Sequence, residues 1–377
     1  MYLGHLLVAR RSLLQQVGGC DSRFDGVQDF ELALRLAERH CRIEHVPRIL
    51  YHWRAIPGSV AADSSAKNGI ERLQEQAVQA HLDRLGVAAA ARRDGHTHRV
   101  QIVPKPQSSY PKISILIPTR DHPELIGRCL KTLYRLTTYP NFEVLAGDND
   151  TSDRRAMKIL DMFPIKRVPL PGEFHFAQFI NTLAAQATGD YLMLLNNDTE
   201  IVQADWLQHL LLHAREEDVG MAGALLTYAD GTVQHAGIIL GPRGTADHVM
   251  RGFPADSDGY MGSLACTREV TAVTAAAMIS RQKFMLVGGL CERFQRHYDD
   301  LDFCLRLRSR GWRNLCVASA RLVHYESRSR GLKYDFTDRV LLLDRWESVI
   351  DQGDAYYSRN FDRDSTDYRL GVGGIRP

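Results

Sequence analysis

The sequence predicts an α/β protein whose sheet is mostly parallel and is covered by helices on both faces. Between residues 112 and 198, continuously apolar runs of strand length alternate with segments of helical periodicity. The apolar runs lack the in–out alternation of a half-exposed strand, so both faces of the sheet should be buried. Turn-forming Gly, Pro, Asn and Asp residues separate the segments.

The predicted elements follow one another in a regular order. The strands are KISILIP, NFEVLAGD, IKRVPL and DYLMLLNND, and the helices between them are ELIGRCLKTLYRL, SDRRAMKILDMF and FHFAQFINTLAAQA. Parallel strands need crossovers of this kind, because a short turn cannot join them. The carboxyl ends of the strands should therefore meet at one edge, where open parallel sheets bind their ligands.

Two segments share one sequence frame, which indicates a duplicated module. Residues 17–52 and 287–324 both contain Val-Gly-Gly, a phenylalanine, an acidic cluster, Leu-Arg-Leu and a closing histidine. The first copy lacks preceding strands, so we expect a truncated first module that is catalytically silent. The predicted division is a first-module remnant over 1–60, a helical linker over 61–111, a complete module over 112–345 and a C-terminal tail over 346–377.

The composition argues against several classes of protein. The chain has 377 residues, 44% of them hydrophobic, and its net charge of +2 does not favour a nucleic-acid partner. The seven cysteines are never spaced as CxxC, which argues against zinc knuckles and a disulfide framework and fits a reducing cytoplasm. No apolar run approaches the roughly 20 residues of a membrane helix. Glycine-rich dinucleotide and P-loop motifs are absent from the sequence.

Polar residues end three of the predicted strands. They are Pro118-Thr119-Arg120-Asp121, Asp148-Asn149-Asp150 and Asn196-Asn197-Asp198. Helix capping accounts equally well for Asp121 and Asp150, but it accounts poorly for an aspartate that follows LLNN. A carboxylate at the mouth of the sheet suits a divalent cation that prefers oxygen ligands. The pattern predicts a nucleotide bound without a glycine-rich loop, with a metal neutralising its phosphates.

These segments, together with VGGLCERF, YDDLDFCLRLRSRGWR and ARLVH, resemble the inverting family-2 glycosyltransferases of the GT-A fold. QHAGIILG, GYMGSLACTREVTAVTAAAMISR and HYESRSRG resemble the bacterial subgroup that builds O-antigen and other surface polysaccharides, in which rhamnosyltransferases are common. The resemblance implies sugar transfer from a dTDP- or UDP-linked donor to a saccharide or lipid-linked saccharide, with Mn²⁺ or Mg²⁺ as cofactor. It also implies a cytoplasmic enzyme, and leaves open peripheral contact with the inner membrane or with other polysaccharide-assembly proteins.

The resemblance also assigns roles to individual residues. Those expected to bind the nucleotide sugar are Pro118, Thr119, Arg120, Asp121, Asp148, Asn149, Asn196, Asn197 and Arg330. Asp198 takes the place of the metal-binding carboxylate in the family's DxD motif, whose first aspartate is Asn196 here. His324 would coordinate the metal or the diphosphate. Asp300 would be the general base that takes the proton of the acceptor hydroxyl.

The residues alone leave alternatives open. Asp299, Asp300 and Asp302 also fit a solvated acidic helix start, which the helix dipole favours. The resemblance favours Asp300 as the base and Asp302 as a residue that orients neighbours such as Arg306. A lone histidine at a strand end is more often structural, so a role for His324 depends on the resemblance. The alternative function is an inactive glycosyltransferase-like binding or scaffold protein, because the first module is incomplete and the DxD motif is weakened.

Overall fold

A computed structural model divides the chain into two compact units, the first ending at Ser108 and the second beginning at Ser109. The structure describes residues 6–39, 41–44, 46, 50–52, 54, 56, 69–93, 99–325 and 336–371.

The first unit contains three helices and two strands in its described residues. These are α1 (Arg11–Val17), α2 (Gln28–Ala37), α3 (Ile70–Arg84), β1 (Ala89–Arg93) and β2 (Val100–Pro104). β1 and β2 pair antiparallel, so the segment predicted as a helical linker also contains a two-stranded sheet.

Helix α3 packs against the segment that contains α2. Phe24 and Val27 form one buried cluster with Ile70 and Ala77 of α3. The helix predicted as part of the linker therefore covers apolar residues of the predicted remnant. The contact buries apolar residues of both segments.

The second unit is built on a sheet that contains ten strands in the described part of the chain. The first half of the second unit comprises β3 (Ile113–Thr119), α4 (Pro123–Leu136), β4 (Phe142–Asp148), α5 (Arg154–Asp161), β5 (Lys166–Pro169), α6 (Phe176–Gln186) and β6 (Tyr191–Leu195). Its second half comprises β7 (Thr199–Ile201), α7 (Trp206–Ala214), β8 (Val219–Thr227), β9 (Val233–His235), β10 (Ile238–Leu240), β11 (Ala246–His248), β12 (Arg268–Val270), β13 (Ala276–Ser280), α8 (Arg281–Val287), α9 (Asp299–Ser309), β14 (Arg313–His324) and α10 (Phe336–Asp351).

The main sheet has the strand order β12-β14-β8-β13-β6-β3-β4-β5, with β7 paired to β14 and β9 paired to β8. β6, β3, β4 and β5 are parallel, and β8 is parallel to β14. β13 runs antiparallel to both of its neighbours, so the sheet is mixed beyond β6. The predicted α/β class is confirmed, with the parallel part confined to these two groups of strands.

Hydrophobic layers cover both faces of the sheet. Ile113, Ile115 and Ile117 of β3 lie in one layer with residues of α4 and α7. Leu116, which points to the opposite face, lies in the other layer with residues of α6, α9 and α10. The continuous apolar run of β3 reflects this burial on both sides.

The internal repeat is visible in local structure. α1 and α8 both span seven residues and both end in two glycines with positive φ. Arg35 of α2 forms an ion pair with Glu31 and donates to the carbonyl of Val17. Arg306 of α9 makes the equivalent pair with Asp302 and donates to the carbonyl of Val287. The two copies therefore share a fold for this segment as well as a sequence frame.

The C-terminal segment packs on the second unit. α10 runs across the predicted boundary at 346, and the residues after it bury Tyr357 and Tyr368 in the core. Asp354 Oδ2 accepts hydrogen bonds from the Leu240 amide at 2.8 Å and from Thr271 Oγ1 at 2.6 Å. The segment predicted as a tail thus contributes to the packing of this unit.

All seven cysteines are free thiols, as their spacing predicts. Burial raises the pKa of Cys129 and Cys304 to about 12, so these thiols stay neutral. Within the described ranges, the helices are too short or too polar to cross a membrane.

Candidate active site

The carboxyl ends of three parallel strands lie side by side, because β3 is between β4 and β6 in the sheet. Asn197, just after β6, donates from Nδ2 to Thr119 Oγ1 at the end of β3, with 3.0 Å between the atoms. Pro118 and Thr119 are buried, whereas the Arg120 side chain is 52% exposed. The predicted convergence of polar strand ends is therefore present.

Asp121 connects the loops that follow β3 and β4. Its Oδ1 accepts hydrogen bonds from the amides of Ser152 at 2.7 Å and Asp153 at 2.8 Å. The hydrogen bond from Asp153 is the largest influence lowering the pKa of Asp121 below its ordinary value, and that from Ser152 adds to it. Asp121 thus shapes the predicted nucleoside pocket by holding a loop.

Asp148 and Asn149 lie at the end of β4 but have different surroundings. Asp148 Oδ2 is 2.6 Å from a guanidinium nitrogen of Arg167 on β5. Burial raises the pKa of Asp148, but hydrogen bonds from Arg167 and Thr151 outweigh it and leave the pKa below its ordinary value. Asn149 is fully buried, and its Nδ2 donates to the carbonyls of Leu170 and Gly172. The Asn149 Nδ2 group is therefore engaged within the protein, and the expected contact of Asn149 with a nucleoside stays a prediction.

Asp198 and His324 are brought together by a short antiparallel pairing of β7 with β14. In this pairing Thr199 lies opposite His324. Asp198 Oδ1 is 3.1 Å from His324 Nε2, and Asn196 Nδ2 is 3.4 Å from the same nitrogen. Both members of the Asp–His pair are buried. Residues 126 positions apart in sequence thus form one polar site at the end of β6.

The Asp198–His324 pair has the spacing of two ligands on one metal ion. Oxygen and nitrogen ligands lie about 2.0–2.2 Å from such ions, so two ligand atoms at a right angle are about 3 Å apart. No group of three His, Cys, Asp or Glu side chains suited to a metal occurs in the part of the chain that the structure describes. Two protein ligands would leave the other coordination positions for phosphate oxygens and water.

The three aspartates at the start of α9 have separate environments. Asp302 is fully buried and contacts Arg306 Nε at 2.8 Å, Arg345 Nε at 2.9 Å and Trp346 Nε1 at 2.9 Å. Asp299 is also buried, whereas Asp300 is partly exposed. Asp300 lines a small, mostly apolar pocket that also contains Asn196. Of the three, Asp300 is therefore the carboxylate that shares a pocket with the end of β6.

Sequence analysis missed several residues that shape this pocket. Val273, Thr274 and Ala275 line it, and Ala275 has a φ of +62°, which is uncommon for a residue with a side chain. Gln234 on β9 contacts His324, and the signal available for it was the polar pair Gln234-His235 before the apolar run AGIIL. Arg330, which was expected to contact phosphate, lies outside the described residues.

Helix α10 holds the loop that leads into α9. Both oxygens of the fully buried Asp338 accept hydrogen bonds from the amides of three consecutive residues, at 2.8–2.9 Å. These residues are Gln295, Arg296 and His297. The sequence gives no local sign of this contact, because the partners are 41–43 positions apart.

Replacing Asp338 by Ala should lower the stability of the second unit by about 3 kcal/mol, since three amides lose their acceptor. For a unit of this size the midpoint of thermal unfolding should fall by about 6–12 °C. Differential scanning calorimetry measures this shift, with Asp344→Ala as the control, because Asp344 is an exposed aspartate on the same helix. Equal midpoints for the two variants would contradict the bracing role of Asp338.

Comparisons with known proteins agree with this architecture. Residues 114–252 match the family model "Glycosyl transferase family 2". Two curated relatives match over 98% of this chain: the uncharacterized protein y4gI of Sinorhizobium fredii (strain NBRC 101917 / NGR234) at 33% identity, and the O-antigen biosynthesis protein RfbC of Myxococcus xanthus at 35% identity. The chain spans 42% and 29% of the lengths of these two relatives.

A solved structure supports the fold. The structure of GalNAc-T7 with UDP, GalNAc and Mn²⁺ is similar with a TM-score of 0.50 and 13% identity, over 64% of this chain and 49% of that chain. At this identity the likeness shows the fold alone. Residues 114–252, which lie within the second unit, thus match glycosyltransferase family 2, and the unit has the GT-A fold.

Proposed function

We propose that the second unit is an inverting, metal-dependent glycosyltransferase of cell-surface polysaccharide synthesis. Its donor would be a nucleoside-diphosphate sugar with UDP or dTDP, and its acceptor a saccharide or lipid-linked saccharide. The observation that carries the proposal is the position of Asn196, which contacts His324 of the Asp198–His324 pair and lines the pocket of Asp300. The name of the RfbC relative supports a role in O-antigen assembly.

Asp198 and His324 would hold the divalent cation. When bound, the ion supplies positive charge that neutralises the negative charge developing on the leaving diphosphate. The solved structure of this fold that holds UDP and Mn²⁺ supports a divalent cation in general. The side chains themselves contribute one carboxylate charge and one neutral imidazole, so the site adds little charge of its own.

Asp300 would act as the general base. The acceptor hydroxyl oxygen forms a bond to the anomeric carbon from the face opposite the diphosphate, and its proton passes to the Asp300 carboxylate. The bond from the anomeric carbon to the phosphate oxygen breaks, and the nucleoside diphosphate leaves. One displacement of this kind inverts the anomeric configuration. The apolar lining of the pocket, which includes Phe176, Leu194 and Phe303, would limit the access of water.

The ends of β3 and β4 would receive the nucleoside. The Asp148 carboxylate is ionised and paired with Arg167, so this edge offers both an acceptor and a donor of hydrogen bonds. Asp121 and Asn149 would act indirectly, by holding the loops that surround the nucleoside.

The test is cleavage of nucleotide sugars in the absence of an acceptor. The full chain is incubated with a panel of UDP-, dTDP- and GDP-sugars, and the release of nucleoside diphosphate is measured with EDTA and after Mn²⁺ is restored. The proposal expects release from at least one donor that stops with EDTA and returns with Mn²⁺. The alternative is an inactive binding or scaffold protein, which the asparagine at position 196 favours. Donor binding without release or transfer would support that alternative.

Deleting residues 1–108 should leave donor cleavage within about twofold of the full chain. Asp198, Asp300, His324 and both hydrophobic layers of the sheet belong to the second unit. We propose that the first unit contains the end of a separate module, a view supported by the repeated contacts of Arg35 and Arg306. Rates are compared after circular dichroism has shown that the shortened chain is folded. Loss of cleavage in a folded variant would make the first unit part of the active unit.

A further inference from the structure

We propose that Gln234 is a positioning residue that sets the tautomer of His324, so that the Nε2 lone pair of His324 faces Asp198 and is available to a divalent cation. The inference rests on the proposed function and deepens it, since it assigns a residue outside the ligand pair to the same metal site.

The hydrogen bonds of His324 carry the argument. Its Nδ1 is 3.1 Å from Gln234 Oε1, and Gln234 is 1% exposed. A carbonyl oxygen only accepts hydrogen bonds, so His324 Nδ1 must carry the proton in this pair. A neutral imidazole has a single N–H, so Nε2 then carries a lone pair and no proton.

In this tautomer the lone pair on Nε2 faces the Asp198 carboxylate. Nε2 is 3.1 Å from Asp198 Oδ1, a separation that two ligand atoms of one metal ion would also have. Asn196 Nδ2, at 3.4 Å, is a long and weak donor to the same nitrogen. Histidines that bind metals commonly donate their other N–H to an oxygen, which fixes the ring and the tautomer. Gln234 supplies that oxygen without adding charge.

Two histidine rings near Gln234, those of His235 and His248, are neutral. The next residue on β9 is the fully buried His235, whose Nδ1 is 3.0 Å from His248 Nδ1. Burial lowers the pKa of His235 well below its ordinary value and that of His248 to about 3, so both rings are neutral. Neither ring therefore adds a positive charge that would compete with a metal ion.

The rest of the QHAG segment also fits this role. Gly237 has a φ of +98°, and a methyl group at this position would lie 2.4 Å from Val270 Cγ1. Glycine thus lets the chain leave β9 in close contact with β12 and enter β10. β9 pairs with β8 on either side of Gln234, with a register shift between Val233 and His235.

The first experiment measures Mn²⁺ affinity without donor or acceptor, using the electron paramagnetic resonance signal of free Mn²⁺. The variants are Gln234→Leu, which removes the acceptor, and Gln234→Glu, which keeps it. Gln282→Leu is the control, because Gln282 is exposed on α8. We expect Gln234→Leu to weaken binding by about 10–100-fold, as for other residues that orient metal ligands. Gln234→Glu should bind at least as tightly as the unmodified chain, and Gln282→Leu should be unchanged.

The second experiment reads the tautomer directly in the metal-free chain. Two-bond ¹H–¹⁵N correlation spectra of protein labelled at histidine distinguish Nδ1–H from Nε2–H, and His324→Gln identifies the signal of His324. We expect Nδ1–H in the unmodified chain and a mixture of tautomers in Gln234→Leu. Nε2–H in the unmodified chain, or unchanged Mn²⁺ affinity in Gln234→Leu, would overturn the inference. If the unmodified chain bound no Mn²⁺ but showed Nδ1–H, the metal assignment would fail while the effect of Gln234 on the tautomer would stand.

Discussion

Asp300→Asn should lower the rate of sugar transfer by about 10²–10⁴-fold, the usual contribution of a general base. The asparagine keeps the size of the side chain and can still accept the hydrogen bond from the Leu301 amide. It cannot take a proton from an acceptor hydroxyl. In the proposed mechanism Asp300 contacts the acceptor hydroxyl. Donor affinity should therefore stay nearly unchanged, although Asp300 shares a pocket with Asn196. Transfer rates and titrations with nucleoside diphosphate measure the two effects separately.

The neighbouring aspartate provides the matched control. Asp299→Asn changes the same type of residue one position earlier, at a side chain that the pocket lining does not include. Its transfer rate should stay close to that of the unmodified chain. If Asp299→Asn were the crippling change and Asp300→Asn mild, the assignment within the acidic cluster would be wrong. Asp302 is unsuitable as a control, because its contacts with Arg345 and Trp346 connect α9 to α10.

The first half of the second unit could be predicted from sequence because its strands are buried on both faces. The runs that became β3, β4 and β6 are long enough to be recognised, and their helices have a clear apolar stripe. The strands β7, β9, β10, β11 and β12 each span three residues, too few to show a period. β7 and β12 pair with β14, which is distant in sequence from both, so the mixed half of the sheet could not be derived.

The sequence predicted the types of residue in the candidate site better than it predicted their contacts. The strand ends and the resemblance indicated Asp198 and His324, and the pairing of β7 with β14 places them together. The direction of a side chain depends on which hydrogen-bonding groups lie near it in space, and these groups can be distant in sequence. Asn149 follows a strand as predicted, yet its amide binds two carbonyls more than 20 positions later. Contacts of this kind require the fold.

The internal repeat separates shared structure from shared function. The ion pair of Glu31 with Arg35 repeats that of Asp302 with Arg306, so these acidic residues serve the same structural purpose in both copies. Asp29 stands in the first copy where Asp300 stands in the second. The acidic helix start is therefore common to both copies, whereas Asn196 and Asp198 belong to the second unit.

Removing the divalent cation or its carboxylate ligand should abolish most donor cleavage. A metal that neutralises a leaving diphosphate contributes several kcal/mol to the transition state. Each 1.36 kcal/mol is tenfold in rate, so Asp198→Ala should lose about 10²–10³-fold. The measurement is nucleoside diphosphate release by the unmodified chain and the variant, each with EDTA and with increasing Mn²⁺. Excess Mn²⁺ should restore the EDTA-treated unmodified chain but should not restore the variant.

Asp205→Ala is the control for Asp198→Ala, because Asp205 also contacts a histidine, His209, at 3.2 Å, but lies on the amino-terminal side of α7. If release is impaired simply because an Asp–His contact is lost, both variants should be impaired alike. If it depends on a metal held at the end of β6, only Asp198→Ala should be impaired. Undiminished release in Asp198→Ala and in EDTA would remove the metal from the mechanism. The Asp198–His324 contact would then be a hydrogen bond between His324 Nε2–H and the carboxylate, with a structural role.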